Sequence, residues 1–78
     1  MRIVIENLPQ DVSEGEIREA LGPFAPLEKI ALVKENNIPV ALIEVEVTRD
    51  RAEALATRIN GRIYKDQKLR AWVPLWEG

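Results

Sequence analysis

The chain has 78 residues, with 11 Lys or Arg against 13 Asp or Glu, a formal net charge of −2, and neither cysteine nor histidine. That length holds one small domain, residues 1–78, which buries roughly 60% of the surface its unfolded form would expose. Without cysteine there is no disulfide, thiolate metal site or thiol nucleophile, and without histidine the commonest zinc ligand and general base are missing; a binding domain with no metal or cofactor is expected, not an enzyme.

The first segment, "RIVIENL", is rich in β-formers, with Ile3 and Ile5 on one face and Arg2, Val4 and Glu6 on the other. Pro9 ends it, because proline has no N–H for a sheet. Ser13 and Glu16 then have capping-box spacing, and Val12 and Ile17 have the spacing of a hydrophobic staple. Ile17, Ala20, Leu21 and Phe24 recur at helical intervals as an inward stripe, and Gly22-Pro23 stops the helix. Glu14, Glu16 and Glu19 stay on its outer side.

"LEKIALVKE" reads as a second strand, with Ile30 and Leu32 inward and Ala31 and Val33 opposite. Asn36-Asn37 suits a tight turn, since asparagine tolerates positive φ. The third strand, "NIPVALIEVEV", carries Ala41, Ile43, Val45 and Val47 on one face. Its other face starts apolar at Val40 and Leu42 and turns acidic at Glu44 and Glu46. Thr48 is the expected cap of a second helix with Ala52, Leu55, Ala56 and Ile59 inward, ended by Asn60-Gly61. A last strand, "KLRAWV", alternates Leu69, Ala71 and Val73 with Lys68, Arg70 and Trp72.

The order β-α-β-β-α-β is that of the α+β, ferredoxin-like split unit: a four-stranded antiparallel sheet, order 4-1-3-2, with two helices on one face. The expected core is Ile3, Ile5, Ile17, Leu21, Phe24, Ile30, Leu32, Ile43, Val45, Leu55, Ile59 and Leu69. The uncovered face is left with Val4, Ala31, Val33, Val40, Leu42 and Trp72, flanked by Arg2, Glu6, Glu44, Glu46 and Arg70. In a monomer nothing in this fold covers Val40 and Leu42.

No apolar run approaches the ~18 residues of a membrane span, and the start lacks the long apolar core of a signal peptide, so a cytoplasmic protein without a membrane partner is expected. Charge is unevenly spread. Residues 49–70 hold Arg49, Arg51, Arg58, Arg62, Lys65, Lys68 and Arg70 against only Asp50, Glu53 and Asp66. Solvated helix faces or a basic edge near the C-terminus would both give this pattern.

Across nearly the whole chain the residues resemble the RNA-recognition motif (RRM) family. "IVIENL" with Asn7-Leu8 and Pro9 is similar to the shorter ribonucleoprotein motif, "PVALIEVEV" stands at the longer one, and "TRDRAEALATRINGRIYKDQKLRAW" resembles the second helix and last strand. The resemblance implies single-stranded RNA binding by base stacking on sheet aromatics. Those aromatics fall at Val4, Val40 and Leu42, all aliphatic here, and each lost platform removes about 1–3 kcal/mol per base. Where the longer motif opens with a cation and a glycine, this chain has Ile38-Pro39-Val40.

The reading that follows is a non-catalytic module whose open sheet face (Val4, Val33, Val40, Leu42, Arg70, Trp72) makes an apolar protein contact, with a second copy in a homodimer or with another chain. The alternative is weak, atypical single-stranded RNA binding through Trp72 and Arg70, with Arg62, Lys65 and Lys68 meeting phosphates. Trp76 either adds a second platform or folds back over the sheet. Some family members that lack the aromatics capture a tryptophan-bearing peptide beside an Arg-x-Phe motif. Arg62-Ile63-Tyr64 stands at that place, and packing of Tyr64 against its own turn is the simpler role. Glu44 and Glu46 as catalytic carboxylates would sit solvated on an open sheet.

Overall fold

A computed structural model describes residues 1–23 and 27–75. The elements, in chain order, are β1 (Arg2–Glu6), α1 (Glu14–Leu21), β2 (Leu27–Glu35), β3 (Ile38–Val45), α2 (Arg49–Ile59), β4 (Ile63–Tyr64), β5 (Gln67–Lys68) and β6 (Arg70–Trp72). The main sheet is antiparallel in the order β2-β3-β1-β6, which is the expected 4-1-3-2 with β6 as the last strand.

Local signals set the elements. Ser13 caps α1: its hydroxyl accepts from the Glu16 N–H at 3.1 Å, while the Ser13 N–H donates to the Glu16 carboxylate at 3.1 Å. Thr48 caps α2, accepting from the Arg51 N–H at 3.4 Å. Asn36 and Asn37 both take positive φ (52° and 66°), so the β2–β3 turn has the twist an antiparallel pair needs. Gly61 follows α2 at φ 89°, where a side chain would be strained.

Register decides which side chains enter the core. Ile3 pairs with Ile43 and Ile5 with Ala41, all buried, and Ile43 faces inward as the alternation requires. Ile17 and Leu21 from α1 and Leu55 and Ile59 from α2 close that side. Leu8, Val12, Ile30, Val45, Ala52, Ala56, Leu69 and Ala71 complete it; the alanines let the helices approach the sheet closely.

Several expectations are corrected. Leu32 is half-buried and packs against the core from its margin. Ala20 is exposed, since α1 turns only Ile17 and Leu21 fully inward. Strand β3 ends at Val45, so Glu46 lies beyond the sheet. The last strand is shorter than expected: Lys68 belongs to a separate two-stranded hairpin, β4–β5, whose turn residues Lys65 and Asp66 take positive φ (49° and 67°). Phe24 and Trp76 lie outside the described residues.

Candidate binding surface

The strand pairing arranges the uncovered face in rows. Ala31 pairs with Leu42, Leu42 with Val4, and Val4 with Trp72, which makes one apolar row across all four strands. Beside it Val33 pairs with Val40, and further along β1 and β6 Glu6 pairs with Arg70. On the opposite side Glu44 pairs with both Lys29 and Arg2. The apolar row is thus bounded on both sides by charges of mixed sign.

Exposure is graded along this strip. Val4, Ala31, Val40 and Leu42 are half-buried by their sheet neighbours, while Val33 and Trp72 are 43% and 39% exposed. Ile38, at the tip of the β2–β3 hairpin, is 58% exposed. It shares the parity of Val40 and Leu42 and so lengthens the strip. Ile38 was missed as a site residue although that parity was readable. The Arg2 guanidinium lies 3.5 Å from the Glu44 carboxylate, so Glu44 is a partly neutralised acid rather than a bare negative charge on the face.

The basic residues near the C-terminus do not form one edge. Lys65 bonds to the Glu16 carboxylate, and Tyr64 donates its hydroxyl to the same group at 3.2 Å. The hydrogen bond from Lys65 holds Glu16 below the usual carboxylate range, and the same bond raises Lys65. Burial, and then the negative Glu16, push the Tyr64 phenol up. Tyr64 and Lys65 therefore fasten the β4–β5 hairpin to α1. The Tyr64 ring also helps line an apolar hollow with Ile17, Leu21 and Leu69, while its neighbour Ile63 is 66% exposed. Arg62 donates from Nε to the Arg58 carbonyl at 3.1 Å, at the end of α2. Lys68 and Arg70 line a separate groove with Asn7, Asn60, Gly61 and Leu69.

The RNA recognition motif model matches residues 3–70 of the sequence. The chain belongs to the RNA recognition motif family. Domains of this family are in general RNA-binding modules without catalysis. The chain is 28% identical over 68 residues to the serine/arginine (SR)-type shuttling mRNA binding protein NPL3 of Saccharomyces cerevisiae; the match covers 87% of this chain and 15% of that protein. Among solved structures it is similar to the C. elegans NONO-1 homodimer, with a TM-score of 0.74, 28% identity, and coverage of 90% of this chain and 27% of that one. It is also similar to the third RRM of Pes4, with a TM-score of 0.83, 19% identity, and coverage of 99% and 94%, a likeness of fold. This chain therefore spans a small part of NPL3 and of NONO-1.

The centre of the open face is aliphatic. Val4 and Leu42 are cross-strand partners in the middle of the sheet, and Val40 follows on the same face, where the stacking aromatics of an RNA recognition motif would stand. Trp72, on the outermost strand, is the one aromatic on the open face among the described residues. Among those residues no helix is long and apolar enough to cross a membrane, and no cluster of three or more acidic residues could hold a metal ion.

Proposed function

We propose that this RNA recognition motif is a non-catalytic module that associates with a second copy of itself through the open sheet face. The observation that carries the reading is the row Ala31–Leu42–Val4–Trp72, apolar from one edge of the sheet to the other. Two such sheets facing each other about a two-fold axis parallel to the strands, between β1 and β3, would set Leu42 against Val4 of the second copy. The same axis sets Ala31, the smallest member of the row, against Trp72, the largest. It also brings Glu44 opposite Arg2 of the second copy, so the charged row meets itself with alternating sign. Aligned sheets pack within about 30° of parallel, which this geometry permits. The similar NONO-1 structure is a homodimer, which supports self-association as an occupant of the face.

Trp72 and Arg70 on the last strand favour a second reading, weak single-stranded RNA binding, as does the likeness to an mRNA binding protein. The experiment that separates them is sedimentation equilibrium over a range of concentration, on the native chain and on Leu42→Glu. The substitution puts a charge at the contact without touching the helix-side core, so circular dichroism should show an unchanged fold. Association should weaken by about tenfold or more. A native chain that stays monomeric at every concentration, or association untouched by Leu42→Glu, removes the self-association reading. A monomer that binds an unstructured RNA, and loses about 1–3 kcal/mol on Trp72→Ala, would establish the second.

A further inference from the structure

The two outer strands of the sheet are finished differently. On β6 the outer side is closed by the chain itself. The Gly61 N–H donates to the Leu69 carbonyl at 2.8 Å, the Leu69 N–H to the Arg62 carbonyl at 2.7 Å, and the Ala71 N–H to Asn60 Oδ1 at 3.1 Å. Strand β2 pairs only with β3, and among the described residues no turn or loop backbone closes on its other side. A bulge between Leu27 and Lys29 interrupts its start, but from Lys29 to Glu35 the pairing with β3 is unbroken.

The β2–β3 turn fixes which backbone groups face outward. Asn36 and Asn37, both at positive φ, form a two-residue turn between the paired residues Glu35 and Ile38. Residues that flank such a turn exchange hydrogen bonds with each other, and along the ladder every second residue does the same. Lys29, Ala31, Val33 and Glu35 therefore aim their N–H and carbonyl groups at β3. Ile30, Leu32 and Lys34 aim theirs away from it, as an edge able to take another strand.

We propose that this edge pairs with the same edge of a second copy, antiparallel, with Leu32 opposite Leu32. Symmetry narrows the register: a two-fold axis joining two such edges stands perpendicular to the sheet and passes through a residue opposed to itself. With the axis at Leu32 the pairing spans residues 29–35 and stays clear of the bulge. The outward groups then match, Leu32 with Leu32 and Ile30 with Lys34 in both directions, each pair exchanging two hydrogen bonds. Moving the axis to Ala31 sets Lys34 opposite Glu28, inside the bulge, where the ladder is broken. Side chains agree with the same register. Leu32, left half-buried at the margin of the core, meets its own copy, and Ala31 meets Val33 on the open face. Lys29 falls in register with Glu35, so the ends of the pairing carry opposite charges and neither lysine meets a lysine. This contact joins the four-stranded sheets side by side, so it does not rest on the open-face contact and the two can coexist.

The test uses Leu42→Glu, in which the open-face contact is blocked and the edge is read alone. Sedimentation equilibrium should show a monomer–dimer equilibrium. Amide hydrogen exchange should slow with rising protein concentration at Ile30, Leu32 and Lys34, and stay constant at Ala31 and Val33. Adding Lys34→Pro removes one outward N–H without touching the ladder to β3, and should weaken the dimer about tenfold or more. Lys34→Ala removes the charge but keeps that N–H, and should weaken the dimer much less. Circular dichroism of both variants checks the fold. The proposal is overturned if Leu42→Glu is monomeric at every concentration, or if protection gained with concentration does not follow alternate residues. It is also overturned if the proline and alanine variants weaken the dimer equally. If the native chain and Leu42→Glu associate alike, the open-face reading fails, while Lys34→Pro still decides the edge.

Discussion

The two faces of the sheet are made from the same strands and much the same residue types, yet one is sealed and the other is not. On β3, Ala41, Ile43 and Val45 are buried under the helices, and Ile43 is 1% exposed. Val40 and Leu42, the residues on either side of Ala41, stop at half-buried, and Ile38 stands largely in solvent. Hydrophobicity alone does not separate these sets. Parity does, together with the crossover connections that bring both helices to one side. A face meant only for water would alternate to polar residues throughout, and the apolar row on the far side departs from that pattern, which is what the proposed contact rests on.

Truncating one residue on each face should give the largest contrast. Ile43→Ala should cost about 2–5 kcal/mol, because it leaves a cavity among Ile3, Ile30 and the helices. Leu42→Ala should cost the monomer less than about 1 kcal/mol, its side chain having no helix above it. Urea unfolding at low protein concentration measures both. Equal losses would mean that the open face is as much a core as the covered one.

Next in size is the effect of Trp72→Ala on association. In the proposed dimer a large aromatic would sit against Ala31 of the second copy and have the character of a hot spot, so its loss should weaken self-association by about 2 kcal/mol or more. Its position on an outer strand limits the effect on monomer stability. A sedimentation series on Trp72→Ala, set beside the unfolding curve of the same variant, separates the two. If unfolding shifts and association does not, Trp72 belongs to the covered face in function, and the comparison fails at that edge.

Most of the fold is legible in the sequence, because its signals are local. Alternation placed Ile3, Ile5 and Ile43 inward, the Ser13–Glu16 spacing placed the start of α1, and two adjacent asparagines placed a turn. The β4–β5 hairpin was not legible. Its turn puts Lys65 and Asp66 at positive φ, and lysine is not a residue that announces such a turn. The fate of the basic residues was hidden for a different reason. Lys65 and Glu16 are 49 positions apart, so only the folded chain reveals that this lysine is engaged while Lys68 and Arg70 turn to a groove. Spacing carries no record of such long-range sorting.

Smaller effects should come from the helix layer and leave the open face alone. Ser13→Ala removes the acceptor for the Glu16 N–H and should cost about 1 kcal/mol of stability. Association of the folded protein should be unchanged, since the cap lies on the side opposite the apolar row. A change in association constant without a change in melting temperature would show that the two faces communicate.

The smallest expected effect concerns the Glu16 clamp, and its sign follows from the direction of each shift. The Glu16 pKa is lowered in the folded protein, chiefly by its hydrogen bond with Lys65. Its contribution is therefore complete above the unfolded carboxylate pKa and is lost as pH falls through the lower folded value. Lys65 is raised by the same bond, so its contribution is complete below the unfolded lysine pKa and is lost as pH rises through the raised folded value. The hairpin is thus fastened to α1 across neutral pH and loosened at both extremes. Tyr64 offers a direct reading of this, because it is the sole tyrosine in the chain and its absorbance change with pH reports one group. Burial raises its pKa first and the Glu16 charge adds to that. In Glu16→Gln the phenol should therefore titrate at lower pH than in the native protein, yet still above an ordinary tyrosine, because the ring remains packed against the core. Self-association should not change. An unaltered Tyr64 titration would mean that the carboxylate does not hold the hairpin, while a fall to the ordinary tyrosine value would mean that the clamp also keeps the ring in place.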